Sequence, residues 1–193
     1  MDRLMPFDEL NVLRSIVTDI FGGDQKNRKQ YEGYLMDLIE EILLLSYIYG
    51  NESANTMLES EVPVEDKTVA AVVDKPIADK TWRQRVTQYL ENENATAEDI
   101  MRVAETDSHR VYNDAMWEVA EEEKDKGAVI FKRWETMLDD RVRETHEYLE
   151  GEEVPLDEPF WTFDGDEAMH PGDFTMPENN INCRCRLSLI RKN

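Results

Sequence analysis

The feature that most limits the architecture of this chain is a change of period at Gly127. Upstream of it, apolar residues recur at the spacing of one helical face; downstream, short alternating or continuous apolar runs read as strands. The upstream part begins with Phe7, Leu10, Leu13, Ile16, Val17, Ile20 and Phe21, which predict an amphipathic helix over residues 6–21 stopped by Gly22-Gly23. Tyr31, Tyr34, Leu35, Leu38, Ile39, Ile42 and Leu45 predict a second helix from Lys26 to Tyr49, ended by Gly50-Asn51, so that residues 1–50 form a helical hairpin. Residues 51–79, with Pro63, Pro76 and one short apolar patch at Val69–Val73, read as a linker holding at most one strand.

Trp82, Val86 and Leu90 mark a short helix. Thr96 with Asp99 then offers a helix start, and Ile100, Val103, Ala104, Val111, Ala115 and Val119 predict a long helix over residues 97–125. Beyond Gly127, Ala128–Phe131, Pro159–Phe163 and Ile181–Ile190 read as strands, and Asp139-Asp140 as the cap of a short helix running to Leu149 and closed by Gly151. Three short strands after several helices define an α+β class: a mainly helical N-terminal part with a small antiparallel sheet in the C-terminal domain, residues 80–193.

Charge narrows the partners. A net charge of -21 sets up a negative field that repels phosphates, which disfavours contact with DNA or anionic lipid. The tail departs from this, because Arg184, Arg186, Arg191 and Lys192 make it locally basic and suited to an acidic partner. Asp2, Asp8 and Glu9 interrupt anything resembling a secretory leader, and Asp37, Glu40 and Glu41 break the most apolar stretch well short of the roughly 20 residues a membrane span needs. The two cysteines stand one residue apart, too close for an unstrained bridge, so a reducing compartment is the expectation.

The chemistry-bearing residues gather in the last third. Trp134, then Asp139, Arg141, Arg143 and His146, then Gly151, His170-Pro171-Gly172-Asp173 and Asn182-Cys183-Arg184-Cys185 follow in a fixed order. Each element alone has little specificity, but the ordered set resembles the phage head morphogenesis family, the Mu F-like minor head proteins. Ala104, Thr106, Arg110 and Asn113 extend the resemblance into the long helix, giving coverage from about residue 97 to 187. In one place the chain departs from the pattern: Glu105-Thr106-Asp107 stands where the family often has Arg-Thr-Glu. Residues 1 to about 80 match no pattern of that family.

The resemblance implies a minor structural protein of the phage head, portal-associated, present in the virion head and, during assembly, in the host bacterial cytoplasm. Its implied partners are the portal or other head proteins, with no membrane and no small-molecule substrate. Some relatives are thought to contact DNA, a property the acidity of this chain argues against.

His146, His170, Cys183 and Cys185 form a set chemically suited to a structural zinc, since imidazole and thiolate match that ion. The spacing lacks the usual Cys-x(2–4)-Cys knuckle, and two apolar-like buried cysteines with hydrogen-bonded histidines explain the same residues. On an extended segment Cys183 and Cys185 would face one side and Arg184 the other. His146-Glu147 is not a metalloprotease element, because position 150 is Glu rather than His. Arg141 and Arg143 read as fold anchors pairing with loop carboxylates, His170–Asp173 as a turn, and Asp164 and Asp166 as solvated loop acids. With no complete catalytic set, the chain reads as a non-enzyme. The competing reading is a metal-dependent hydrolase or toxin-like effector delivered with the virion.

Overall fold

The computed structural model describes residues 7–192, so the expected helix start at residue 6 and the side chain of Phe7 lie outside the described residues. Five helices come first: α1 (Phe7–Gly22), α2 (Glu32–Leu58), α3 (Asp66–Val73), α4 (Trp82–Glu91) and α5 (Ala97–Asp125), with a 3-10 segment Gln25–Tyr31 before α2. Then follow β1 (Val129–Glu135), α6 (Glu144–Glu147), β2 (Glu153–Pro155), β3 (Phe160–Trp161), β4 (Glu167–Ala168), α7 (Pro177–Asn180) and β5 (Arg186–Lys192). β1 is the centre of an antiparallel sheet of order β2-β1-β5, and β3 pairs with β4 in a separate antiparallel ribbon. The α+β class is therefore the observed one. No helix among the described residues is long and apolar enough to cross a membrane.

α5 is the spine of the molecule because both of its long faces are buried. Ile100, Val103, Ala104, Val111 and Ala115 join Leu13, Val17, Leu35, Ile39 and Trp82 in one apolar cluster. Tyr112, Met116, Val119 and Ala120 join Ile130, Trp134, Phe160, Leu187 and Leu189 in a second. Its start is secured as the sequence indicates: the Asp99 carboxylate accepts the Thr96 backbone N–H and its hydroxyl, both at 2.9 Å. At α4 the Gln84 side chain accepts the Thr81 N–H (2.9 Å) and the Thr81 hydroxyl accepts the Gln84 N–H (3.3 Å).

Two expectations change. α2 does not end at Gly50-Asn51 but continues to Leu58, and Glu59 in the left-handed region terminates it. Gly50 sits inside the helix because α5 passes so close that a Cβ there would lie 2.3 Å from the Tyr112 carbonyl oxygen. The glycine is a packing residue rather than a stop. The segment read as a linker consequently holds the last turns of α2, and its apolar patch forms α3, a helix rather than a strand, with Val69, Val72 and Val73 buried. Arg110 of α5 fastens α3 by donating to the carbonyls at its C-terminal end, Val72 (2.8 Å), which also accepts the Lys75 N–H, and Val73 (3.2 Å).

The strands differ from expectation in both directions: β1 runs past Phe131 to Glu135, and β2 and β4 add to the three expected. Pro159–Phe163 contributes only Phe160–Trp161, and the last strand starts at Arg186 rather than Ile181, because Asn182 turns the chain at φ 60°. The short helix is a single turn capped by Arg143 and not by Asp139-Asp140.

Candidate functional site

The site is assembled where the residues before β5 return against α6, β1 and α5. Asn113 on α5 clamps this return: its amide donates to the carbonyls of His109 (2.9 Å) and Cys185 (3.1 Å), and its oxygen accepts the Leu187 N–H (2.8 Å). Thr106, two turns earlier on the same helix, accepts the Asn182 N–H at 3.0 Å. With both ends held, the extended alternation continues upstream of β5. Cys183, Cys185, Leu187 and Leu189 are buried while Arg184, Arg186 and Ser188 are partly exposed, so the two sulfurs share a face as the sequence indicates.

That face meets His146 of α6. Nδ1 lies 3.6 Å from the Cys183 sulfur and 3.5 Å from that of Cys185. The imidazole is walled in by aromatic rings, stacked on Phe174 (centroids 5.1 Å apart) and edge-on to Trp134 (5.7 Å), itself packed on Phe160 at 5.2 Å. Trp134 is fully buried on β1, and Gly151, at φ 75°, lets the chain return so that its N–H reaches the Trp134 carbonyl at 2.9 Å. The thiols are unequal. The hydrogen bond from Cys185, with that of His146, holds Cys183 well below the usual thiol range against its burial. Its hydrogen bond to Cys183 and burial push Cys185 up.

His170 stands elsewhere. Of the four zinc candidates only His146, Cys183 and Cys185 converge, their donor atoms all within 4.8 Å of one another. His170 opens a turn, closed by the Asp173 N–H on the His170 carbonyl (3.1 Å), that packs on α5. Gly172 adopts φ 93°, and a Cβ there would lie only 3.1 Å from the Arg110 Cα, a close approach that glycine permits. The His170 Nε2 lies 3.2 Å from the Asp114 carboxylate and its ring leans on Trp117, so it belongs to a polar network joining α3, α5 and the turn. Arg110 reaches Asp107 and Asp114, and Lys75 bridges Asp114 (3.2 Å) to Asp173 (3.0 Å). Burial depresses the His170 pKa against the pull of Asp114 and Asp173.

The arginines also divide differently from the expectation. Arg141 is largely exposed, its side chain 72% accessible, and only approaches Asp139 at 3.7 Å. Arg143 donates to the Ile181 carbonyl, not to a carboxylate. The two-pronged carboxylate pairing falls to Arg184, whose guanidinium donates to both oxygens of Asp139 at 2.8 and 2.6 Å and brings that carboxyl down to about 2. The basic tail is likewise spent internally, since Arg191 pairs with Glu123 and Lys192 with Glu153. Asp166 is buried rather than solvated: it accepts the Thr175 and Met176 N–H groups at 3.2 Å and the Asn179 amide at 2.8 Å, ordering the loop that presents Phe174.

Phe174, Asp166 and Lys75 had no signal in the sequence, because each acts through partners unrelated by period. The Asp107–Arg110–Asp114 group did have one, its helical spacing on the apolar side of α5. Outside the sulfur cluster a cleft of about 400 Å³ opens between α5 and the 139–143 segment, lined by Arg102, Arg141, Arg143 and Arg184 with Glu98 and Glu105. His109 borders it, its pKa depressed to about 4 by burial and by Arg184 and Arg186.

An α+β unit whose return segment is clamped by Thr106 and Asn113 and whose core holds Trp134 against His146 and the Asn-Cys-Arg-Cys run thus accounts for the ordered residues. The chain belongs to the family described as Phage Mu protein F like protein, which matches residues 67–188 and so begins at α3. Two curated relatives share parts of it. One is the NAD(+)--arginine ADP-ribosyltransferase EFV of Enterococcus faecalis (strain ATCC 700802 / V583), 35% identical over 55% of this chain and 22% of its own length. Another is the Minor head protein GP7 of Bacillus phage SPP1, 34% identical over 45% of this chain and 28% of its own length. The chain therefore spans only about a quarter of the relatives it matches. No solved structure matches it.

Proposed function

We propose that this protein is a minor structural component of a phage head, acting in head morphogenesis at the portal vertex and carried in the virion head after assembly in the host cytoplasm. The observation behind this reading is the family match over residues 67–188 together with the likeness to a protein named as a minor head protein. The geometry agrees with a building role. Several of the ordered polar residues are consumed in holding one segment against another, as Asn113, Arg110 and Arg184 show, with Asp166 doing the same for the loop that presents Phe174.

Its partners are the portal or other head proteins, met through apolar groups left outside both cores. Val12 of α1 and Tyr34 of α2 are 56% and 52% exposed, and Tyr148 and Phe163 form an exposed edge-to-face pair near Trp161. The net charge of -21 disfavours DNA as a partner. Mass spectrometry of purified proheads and mature virions tests the reading: this chain is present in few copies in both, and its absence from both would end the proposal.

A second reading, an effector delivered with the virion, draws on the relative named as an ADP-ribosyltransferase. Since that likeness covers 22% of the relative's length, the segment fits a shared carrier part as well as an active one. Nicotinamide release from NAD+ by the purified chain in the presence of arginine would favour the effector; no release above buffer favours the head component.

A further inference from the structure

We infer that His146, Cys183 and Cys185 bind one zinc ion, a site of three protein ligands completed by a single water. The two nitrogen–sulfur distances are those of a tetrahedral zinc site. Zinc–nitrogen bonds of about 2.0–2.1 Å and zinc–sulfur bonds of about 2.3 Å, opened to a tetrahedral angle, separate the nitrogen and sulfur ligands by roughly 3.6 Å. Here Nδ1 lies 3.6 and 3.5 Å from the two sulfurs. All three donors are buried, and their atoms lie within 4.8 Å of one another.

The ring cannot swing away. Phe174 and Trp134 fix its plane, and Nε2 is enclosed without a hydrogen-bond partner, so packing alone directs Nδ1 at the sulfurs. The cysteines are equally constrained, by Asn113 on the Cys185 carbonyl and by the alternation that puts both side chains inward. Zinc is the ion that two thiolates and an imidazole select, and its two positive charges neutralise the two thiolates in a buried setting. Binding displaces the proton held by Cys185, with any remaining on Cys183, to solvent and changes no oxidation state.

Space for a fourth ligand adjoins two of the three donors. A small cavity bounded by His146, Cys185, Asn182 and Arg143 leaves about 10 Å³ for the centre of a water molecule, room for about one. Arg141 and Arg184 also line it. The ion would tie α6 to the segment entering β5, the one place where the family's ordered residues from three separate stretches meet. It holds whether the protein works in a phage head or as an effector, because it depends on neither.

The test uses the full chain, reduced and stripped with a chelator, then titrated with Co²⁺ as a spectroscopic probe and with Zn²⁺ in competition. The expected result is saturation at about one equivalent, with thiolate-to-cobalt charge-transfer absorption, intense tetrahedral d–d bands, and loss of both when Zn²⁺ is added. Cys183→Ser and His146→Ala weaken binding at least tenfold, whereas His170→Ala leaves the spectrum as it was. Should the variants fail to fold, the wild-type spectrum decides alone, since its charge-transfer intensity reports two thiolates. Octahedral cobalt bands, no saturable binding, or a Cys183–Cys185 disulfide forming in preference to metal uptake would each overturn the site.

Discussion

The N-terminal helices and the segment from Trp134 to Leu189 are held together by different physics. Around Leu13, Leu35, Ile39 and Trp82 the helices share a fully buried apolar cluster whose requirement is volume and shape. Around Cys183–Leu187 the chain is short of regular structure, and its backbone groups are satisfied by particular side chains: Thr106, Asn113 and Arg143. The first kind of region tolerates many sequences, while the second admits few. The family match, over residues 67–188, takes in nearly all of the second region together with α4 and α5, and leaves out α1 and α2.

The comparison breaks most directly by removing shape-conserving polar residues from one region and shape-conserving apolar ones from the other. Asn113→Leu keeps the volume but orphans the Cys185 carbonyl and the Leu187 N–H. At roughly 1–3 kcal/mol for each of the two buried groups, it lowers the unfolding free energy by about 2–6 kcal/mol in a denaturant titration. Ile39→Leu, equally buried, costs less than about 1.5 kcal/mol. Equal losses would erase the distinction.

A second difference is in pH. His109 faces the arginine-lined cleft with its pKa depressed from 6.5 to about 4, so the unfolded chain binds the extra proton between those values. Stability is present in full above about 6.5 and is lost as pH falls toward 4. Between about pH 7 and pH 5 the loss is on the order of 2 kcal/mol. His109→Gln flattens that part of the profile, measured by denaturation at both pH values; an unchanged slope would place the sensitivity in another group.

The smallest effect sharpens the comparison by locating the outward-facing part of the ordered set. Arg141→Ala removes an exposed side chain with one long ion pair, and shifts stability by no more than about 0.5 kcal/mol. The same variant, scored for incorporation into proheads, separates surface from scaffold: lost incorporation at unchanged melting temperature makes Arg141 part of an interface.

Much of the fold is legible in the sequence because burial on one face leaves a period. α5 is readable from Ile100 to Val119 together with its Thr96–Asp99 start, and both sulfurs are readable on one face from the single residue between them. Gly50 misleads for a physical reason. A glycine that ends a helix and one that admits a neighbouring helix are the same letter, and only the Tyr112 carbonyl 2.3 Å from its missing Cβ tells them apart. Val69–Val73 misleads because a short apolar run suits a strand or a buried helix alike, and Arg110, far along the chain, provides the partner that favours the helix.

The site divides along the same line. The residue types of His146, His170, Cys183 and Cys185 are fixed by the letters, and so is the chemistry they can offer. Which three of them meet was decided by tertiary structure, which sends His170 to Asp114 and Trp117 and brings His146 to the sulfurs between Phe174 and Trp134. Local periodicity follows from the backbone's own geometry and is written residue by residue. Convergence of groups some forty positions apart depends on how whole elements pack, and no short window of the chain contains it.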